Sequence, residues 1–209
     1  MEIVKKTYSN NWHCDRMFTE FIVVQELQGL SDRLNIRNSK YMNIPGNQVK
    51  GLHNDEYFLS LKHWSTQIAN EVFERVYNYD MTNLDVEMTS MWLNKNPKGA
   101  FHTPHYHANN MLSGVYFPEG DGEDFAQLCF MRPHNMQLLP ESAIKSWNSF
   151  NAYEWHCKVK KDILVLFPSY LNHYVDSNYN EKERLSIAFD FLIRGEYSDK
   201  GDGVTKHTI

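Results

Sequence analysis

The segment "HTPHYHANN" at 102–110 places His102, His105 and His107 within six positions of a chain that has ten histidines in all. Neutral imidazole is both a metal ligand and a proton carrier near neutral pH, so such a cluster is the first place to look for chemistry. If 101–107 is extended, side chains alternate. His105 and His107 then share a face with Thr103, while His102, Pro104 and Tyr106 take the other. The pair can meet one metal ion. A metal site also needs a third ligand from elsewhere in the chain; without it the stretch is a histidine-rich polar loop.

Among the remaining histidines, His173 has the most telling surroundings. In "DILVLFPSYLNHYVDSN" it follows an apolar strand and a Pro-containing turn, and it opens another extended stretch. Eleven residues later, "RLSIAFDF" puts Arg184 and Ser186 on one face of a strand rich in apolar residues. An unpaired buried cation is costly, so Arg184 either keeps its head in water at a sheet edge or meets an anion. Its fork suits a carboxylate, and a hydroxyl two residues along the same face adds a hydrogen bond.

These residues need a frame. Residues 17–37 space Phe18, Phe21, Ile22, Val24, Leu27 and Leu30 as an amphipathic helix, weakened at Gly29. A turn-rich linker with Pro45–Gly46 follows, and 55–80 puts Leu61, Trp64, Ile68, Val72 and Val76 on one stripe of a second helix, with His63 beside it at the surface. Beyond residue 84 the pattern changes to short strands, predicted at 86–94, 111–117, 125–131, 153–159, 162–168 and 184–193. Such strands with turns between them predict an antiparallel sandwich or barrel. The chain therefore reads as a single domain over 1–209: a helical portion, 1–83, packed on a β core, 84–195, with a polar tail, 196–209.

Composition narrows the classes. The 209 residues suffice for one buried core, and the 14% aromatic share suits a packed core or pocket rather than a disordered chain. Cys14, Cys129 and Cys157 are odd in number and lack CxxC spacing, which predicts reduced, mostly buried thiols rather than a disulfide framework. The net charge of −5, with "KVKK" the one basic run, gives no signal for nucleic acid. Neither a membrane-length apolar run nor a signal-peptide pattern is present, so a cytoplasmic protein is expected.

The order H-x-H, then an apolar strand ending in a turn and His, then R-x-S, resembles the Fe(II)/2-oxoglutarate-dependent oxygenases. More closely, "HTPHYHANNMLSGVYF", "LCFMRP", "ILVLFPSYLNHYVDSN" and "ERLSIAFDF", between residues 88 and 193, are similar to a phage and bacterial branch of that superfamily. The resemblance implies a mainly β chain with N-terminal helices (α+β), built on a double-stranded β-helix, the cupin-like jelly-roll barrel. It implies Fe(II) held by His105, His107 and His173, with the far carboxylate of 2-oxoglutarate on Arg184 and Ser186. Dioxygen would be the second co-substrate, and decarboxylation to succinate would be coupled to hydroxylation of a further substrate. If the chain is phage-encoded, its setting is the host cytoplasm. A homodimer is compatible with this reading.

The chain departs from most of the superfamily at His107, where Asp or Glu is usual. Three neutral imidazoles leave the metal one charge more positive. Either His107 is a ligand, or it lies one shell out, or a carboxylate from "PEGDGED" replaces it. Tyr116 either hydrogen-bonds the co-substrate or packs in the core. Trp92 and Asn94 are candidates to line the pocket, Arg132 to stand at its mouth, and the loop 133–152 to shape the substrate site. His102, His134 and His156 read as structural or loop residues. Two rival readings stand beside the oxygenase. A three-histidine cupin dioxygenase would explain His107 but leaves Arg184 and Ser186 without a role, and it expects a glutamate where Asn110, Met111 and Leu112 stand. A non-catalytic β-barrel in phage structure or assembly would hold a closed structural metal.

Overall fold

Alternating apolar and polar residues in short runs build a mostly antiparallel β protein, seen in a computed structural model that describes residues 6–7, 13–17, 20–120, 127–133, 140–148, 151–197 and 207–208. In chain order the elements are β1 (Lys6–Thr7), β2 (His13–Met17), β3 (Glu20–Glu26), α1 (Leu30–Leu34), β4 (Gln48–Lys50) and α2 (Leu59–Glu71). Then come β5 (Leu84–Asn96), β6 (His102–His105), β7 (Leu112–Phe117), β8 (Leu128–Met131), β9 (Glu154–Cys157), β10 (Ile163–Pro168), β11 (His173–Val175), β12 (Arg184–Tyr197) and β13 (His207–Thr208).

The larger sheet runs β1-β2-β3-β10-β7-β12-β5-β4, with β13 on the end of β12; the smaller runs β6-β11-β8-β9. Phe117, Val165 and Phe167 of the larger sheet pack with Leu128, Phe130 and Val175 of the smaller one in a core between them. The larger sheet's other face, with Leu93, Tyr116, Leu166 and Phe189, packs on α1, α2 and the turns around them. This is the layering of a double-stranded β-helix with helices outside.

The period of two decides what each long strand shows to which side. On β12, Leu185, Ile187, Phe189 and Phe191 enter the helix-side core, whereas Arg184, Ser186, Ala188 and Asp190 face a cavity between the sheets. On β5, Met91 and Leu93 enter the same core, and Ser90, Trp92 and Asn94 face the cavity. Gly114 on β7 crosses Phe189 so closely that an added Cβ would lie 2.2 Å from its Cε2 atom.

The helix expected over 17–37 is corrected. Residues 20–26 form β3, paired antiparallel with β10 and β2, and only Leu30–Leu34 is α-helical, followed by a 3-10 turn at Ile36–Asn38. The run Ile22–Val23–Val24 is β-branched, and its alternation fits two cores, Ile22 in one and Val23 in the other. Gly29, at φ 72, turns the chain before α1. The N-terminal portion is thus not simply helical; β1 to β4 extend the larger sheet. Phe18 lies outside the described residues.

The second helix is α2, which continues as a π-turn over Val72–Val76. Its buried stripe is Leu61, Ser65, Ile68, Ala69, Val72 and Phe73, and Trp64 is 44% exposed rather than on it. Small Ser65 takes the inward position, its hydroxyl bonded to the Leu61 carbonyl at 2.7 Å. Of the expected polar tail, Glu196 and Tyr197 complete β12 and pair with Thr208 and His207, while 198–206 and 209 lie outside the described residues.

Candidate metal and co-substrate site

Strand pairing brings the separated histidines together. His105 on β6 is the direct antiparallel partner of His173 on β11. Two residues past His105 the chain has left the strand, and the His107 amide donates to the Ser169 carbonyl at 2.9 Å. The ring centroids of His105 and His173 lie 4.3 Å apart, those of His107 and His173 5.1 Å, and those of His105 and His107 5.3 Å. One ligand atom from each of the three falls within 4.8 Å of the other two.

Each ring is held by its Nδ1 atom. His105 Nδ1 donates to the Thr103 carbonyl at 2.7 Å, His173 Nδ1 to the Leu171 carbonyl at 2.9 Å, and His107 Nδ1 to the Asp190 carboxylate at 2.5 Å. A carbonyl or ionised carboxylate has no proton to give, so Nδ1 carries it, and in the neutral form of each ring Nε2 is the free lone pair. Burial pushes the His173 pKa down to about 3, outweighing its bond to Leu171, so this ring is neutral over the physiological range. Three imidazoles held at Nδ1 with Nε2 turned to a common point suit a divalent metal of the iron, zinc or nickel type.

Asp190 carries a hydrogen-bond network that was not picked out from the sequence. Its carboxylate accepts from His107, from Ser113 Oγ at 2.7 Å and from Ser90 Oγ at 2.8 Å, and Ser113 is bonded in turn to Ser169 at 2.8 Å. Burial alone would raise this carboxyl; the bonds from His107, Ser113 and Ser90 outweigh it and hold it below the usual carboxylate range. The signal was there to find. Asp190 shares the parity of Arg184 and Ser186 in "RLSIAFDF", and a carboxylate on the inner face of an apolar strand needs partners.

The trio opens into a cavity of about 500 Å³, within the roughly 300–1,000 Å³ of small-molecule sites. Val115, Phe117, Leu128 and Val175 supply apolar walls. Arg184, 2% exposed, reaches into it with its guanidinium 5.8 Å from the Phe117 ring centre. Burial pulls its pKa down to about 10, so it remains a cation at neutral pH. Ser186 lies beside it on the same face, its hydroxyl accepting from Asn94 Nδ2 at 3.4 Å, and Asn94 Oδ1 accepts from Gln48 Nε2 at 2.9 Å. One cavity therefore holds three ligand-type imidazoles and a buried cation with a hydroxyl, groups suited to the two ends of a small dicarboxylate that also chelates a metal.

Trp92 and Asn94 both line this cavity, with the Trp92 ring 5.7 Å from that of His107. His102, read as structural, lines it too; burial, then Arg184 and His105, push its pKa down to about 4. Tyr116 is corrected. It points to the opposite face of β7, is fully buried, and donates to Asp162 Oδ1 at 2.6 Å, so it cannot reach the cavity. Its neighbours Val115 and Phe117 do, as alternation requires. Arg132 and the described part of 133–152 do not line the cavity; Gln48, Lys50 and His53, from the segment before α2, edge it instead. In "PEGDGED", Glu119 is paired with Arg37 at 2.6 Å and Lys182 at 3.1 Å, away from the histidines, and 121–126 lie outside the described residues, as does His134.

Residues 90–190 match the family described as "Putative 2OG-Fe(II) oxygenase", a span just under half of the chain that includes the histidine trio, Arg184, Ser186 and Asp190. This match and the double-stranded β-helix fold make the chain similar to the 2OG-Fe(II) oxygenases. Among solved structures it is similar to a Pseudomonas putida prolyl-4-hydroxylase (17% identity, 85% of this chain and 90% of that one, TM-score 0.56). It is similar to HygX from Streptomyces hygroscopicus with nickel and 2-oxoglutarate bound (14%, 81% of each chain, TM-score 0.54). The α-ketoglutarate-dependent epimerase SnoN of nogalamycin biosynthesis also aligns (9%, 90% and 81%, TM-score 0.61). At these identities the likeness is one of fold. No curated protein matches the chain in sequence.

Proposed function

We propose that the chain is an Fe(II)/2-oxoglutarate-dependent hydroxylase in which His105, His107 and His173 hold the metal and Arg184 with Ser186 binds the far carboxylate of 2-oxoglutarate. The observation that carries this reading is the trio itself: three imidazoles from two segments, each tied at Nδ1, in one cavity with a buried Arg184–Ser186 pair. When bound, iron with 2-oxoglutarate supplies dioxygen activation, giving succinate and carbon dioxide and placing the other oxygen atom in a C–H bond of the substrate.

The chain's own residues orient and enclose. Arg184 neutralises one end of the co-substrate and fixes its direction, so that the keto acid end faces the histidines. Val115, Phe117, Leu128 and Val175 keep that end dry, which strengthens the ion pair with Arg184. Gln48, Lys50, His53 and Asn110 edge the cavity and are the groups placed to meet the substrate. Among the described residues no helix is long and apolar enough to cross a membrane. A cytoplasmic setting, the host cytoplasm for a phage-encoded chain, fits this reading.

The test is anaerobic titration of the Fe(II)-loaded chain with 2-oxoglutarate, monitored for the visible metal-to-ligand charge-transfer band. The band is expected in the wild type. Iron bound without a band at saturating 2-oxoglutarate would overturn the co-substrate assignment in favour of three-histidine dioxygenase chemistry.

A further inference from the structure

The smaller sheet has a second cluster of ligand-type side chains on its outer face. On β8, Leu128 and Phe130 point inward to the cavity and the inter-sheet core, which sends Cys129 the other way. Cys129 is fully buried yet belongs to neither hydrophobic core. Its direct cross-strand partners are His156 on β9 and Tyr174 on β11. Asp176, one position beyond β11, is tied by its amide to the residue preceding β8, donating to the Gln127 carbonyl at 3.2 Å.

The geometry points to a second metal site, formed by Cys129, His156 and Asp176, that takes a divalent cation of the zinc type. One ligand atom of each residue lies within 4.8 Å of the other two, and Cys129 Sγ is 3.5 Å from Asp176 Oδ2. The set is a thiolate, an imidazole and a carboxylate, the N, S and O donors that zinc accepts, and its two negative charges balance a divalent ion. The half-exposed His156 leaves the fourth position open to water. The ring already has an outer partner: Glu154 Oε2 lies 3.3 Å from His156 Nε2 and accepts from the Tyr174 hydroxyl at 2.9 Å.

Cys129 is otherwise an ill-matched residue here. A buried thiol beside a carboxylate stays protonated, since burial first and Asp176 next push it up to about 12. Metal binding forms the S–metal bond, breaks S–H and releases that proton to solvent. The ion would link β8, β9 and the end of β11. Because β11 carries His173 on its opposite face, the site braces the strand that positions the histidine trio. This inference does not depend on the function proposed for the trio.

Cobalt(II) distinguishes the two sites, because only a thiolate ligand gives the near-ultraviolet sulfur-to-cobalt charge-transfer band. Titration of the metal-free full chain is expected to produce that band, to retain it in His173→Ala, and to lose it in Cys129→Ser. His156→Gln, a surface change that leaves the core untouched, is expected to weaken cobalt binding at this site at least tenfold. Absence of the band at saturating cobalt(II), its persistence in Cys129→Ser, or unchanged affinity in His156→Gln overturns the assignment.

Discussion

His107 Nδ1 lies 2.5 Å from Asp190 Oδ1, with the His107 side chain 11% exposed and that of Asp190 7%. The carboxylate that most of the superfamily is expected to place on the metal is thus present in this chain one residue further out. A carboxylate behind a ligating imidazole raises its basicity and fixes its ring. In the proposed site, the His-for-acid change at 107 would remove negative charge from the metal's immediate contacts and return it through this hydrogen bond.

Asp190→Asn tests this. The amide keeps the size of the side chain and an acceptor for His107, while Ser113 and Ser90 can turn their hydroxyls to suit it. The charge is lost, and one acceptor oxygen becomes a donor. Fe(II) affinity, measured by anaerobic competition with a chelating indicator, is expected to fall about 10- to 100-fold. An unchanged affinity would mean that Asp190 serves the fold and not the metal.

Arg184→Ala removes the buried cation without touching the histidines. A charge-assisted contact is typically worth about 1.5–3 kcal/mol, so 2-oxoglutarate should bind more than about tenfold more weakly. Metal stoichiometry should stay at the wild-type value. Calorimetric titration of the metal-loaded variant checks both, and equal 2-oxoglutarate affinity in the two proteins would remove Arg184 from the site.

Gly114→Ala probes the crossing of β7 over Phe189. The new methyl would meet Phe189 Cε2 at 2.2 Å and Leu166 Cδ2 at 2.5 Å. Both side chains are fully buried, so neither can swing clear into solvent. Overpacking of this kind costs about 1–3 kcal/mol. Chemical denaturation should show a lower midpoint; a wild-type midpoint would mean that the inner layer is more plastic than its packing implies.

The crowding of His105 and His107 in one segment, and the shared face of Arg184 and Ser186, were legible in the sequence. The grouping with His173 was implied only by the resemblance to the oxygenases, because the pairing of β6 with β11 that brings His105 and His173 together is long-range. The place of Tyr116 was not legible, because parity shows which residues share a face but not which face meets the cavity. That depended on Val115 and Phe117 pointing inward, which the tertiary packing decides. The strand at Glu20–Glu26 was mistaken for helix because its apolar residues also fit a 3.6 period, and only pairing with β10 resolves the two. Asp190 is legible only in retrospect, as a lone carboxylate in an apolar strand that needs partners.

Tyr116→Phe separates structure from site. The Tyr116 hydroxyl donates to Asp162, which also accepts from the Ser31 amide at 2.8 Å and the Gly29 amide at 3.0 Å, tying β7 to the start of α1. Burial raises the Asp162 carboxyl; the bonds from Tyr116, Ser31 and Gly29 outweigh it and hold it below the usual carboxylate range. A hydrogen bond to a charged group is worth about 1.5–3 kcal/mol, which sets the expected loss of stability at neutral pH. Because the folded pKa of Asp162 is depressed, its contribution is fully present above the unfolded value of about 3.9 and is lost as pH falls through the folded value. The stability gap between wild type and variant should therefore be constant near neutrality and narrow in acid, while 2-oxoglutarate affinity is the same in both. A variant that keeps its stability but loses 2-oxoglutarate would return Tyr116 to the cavity.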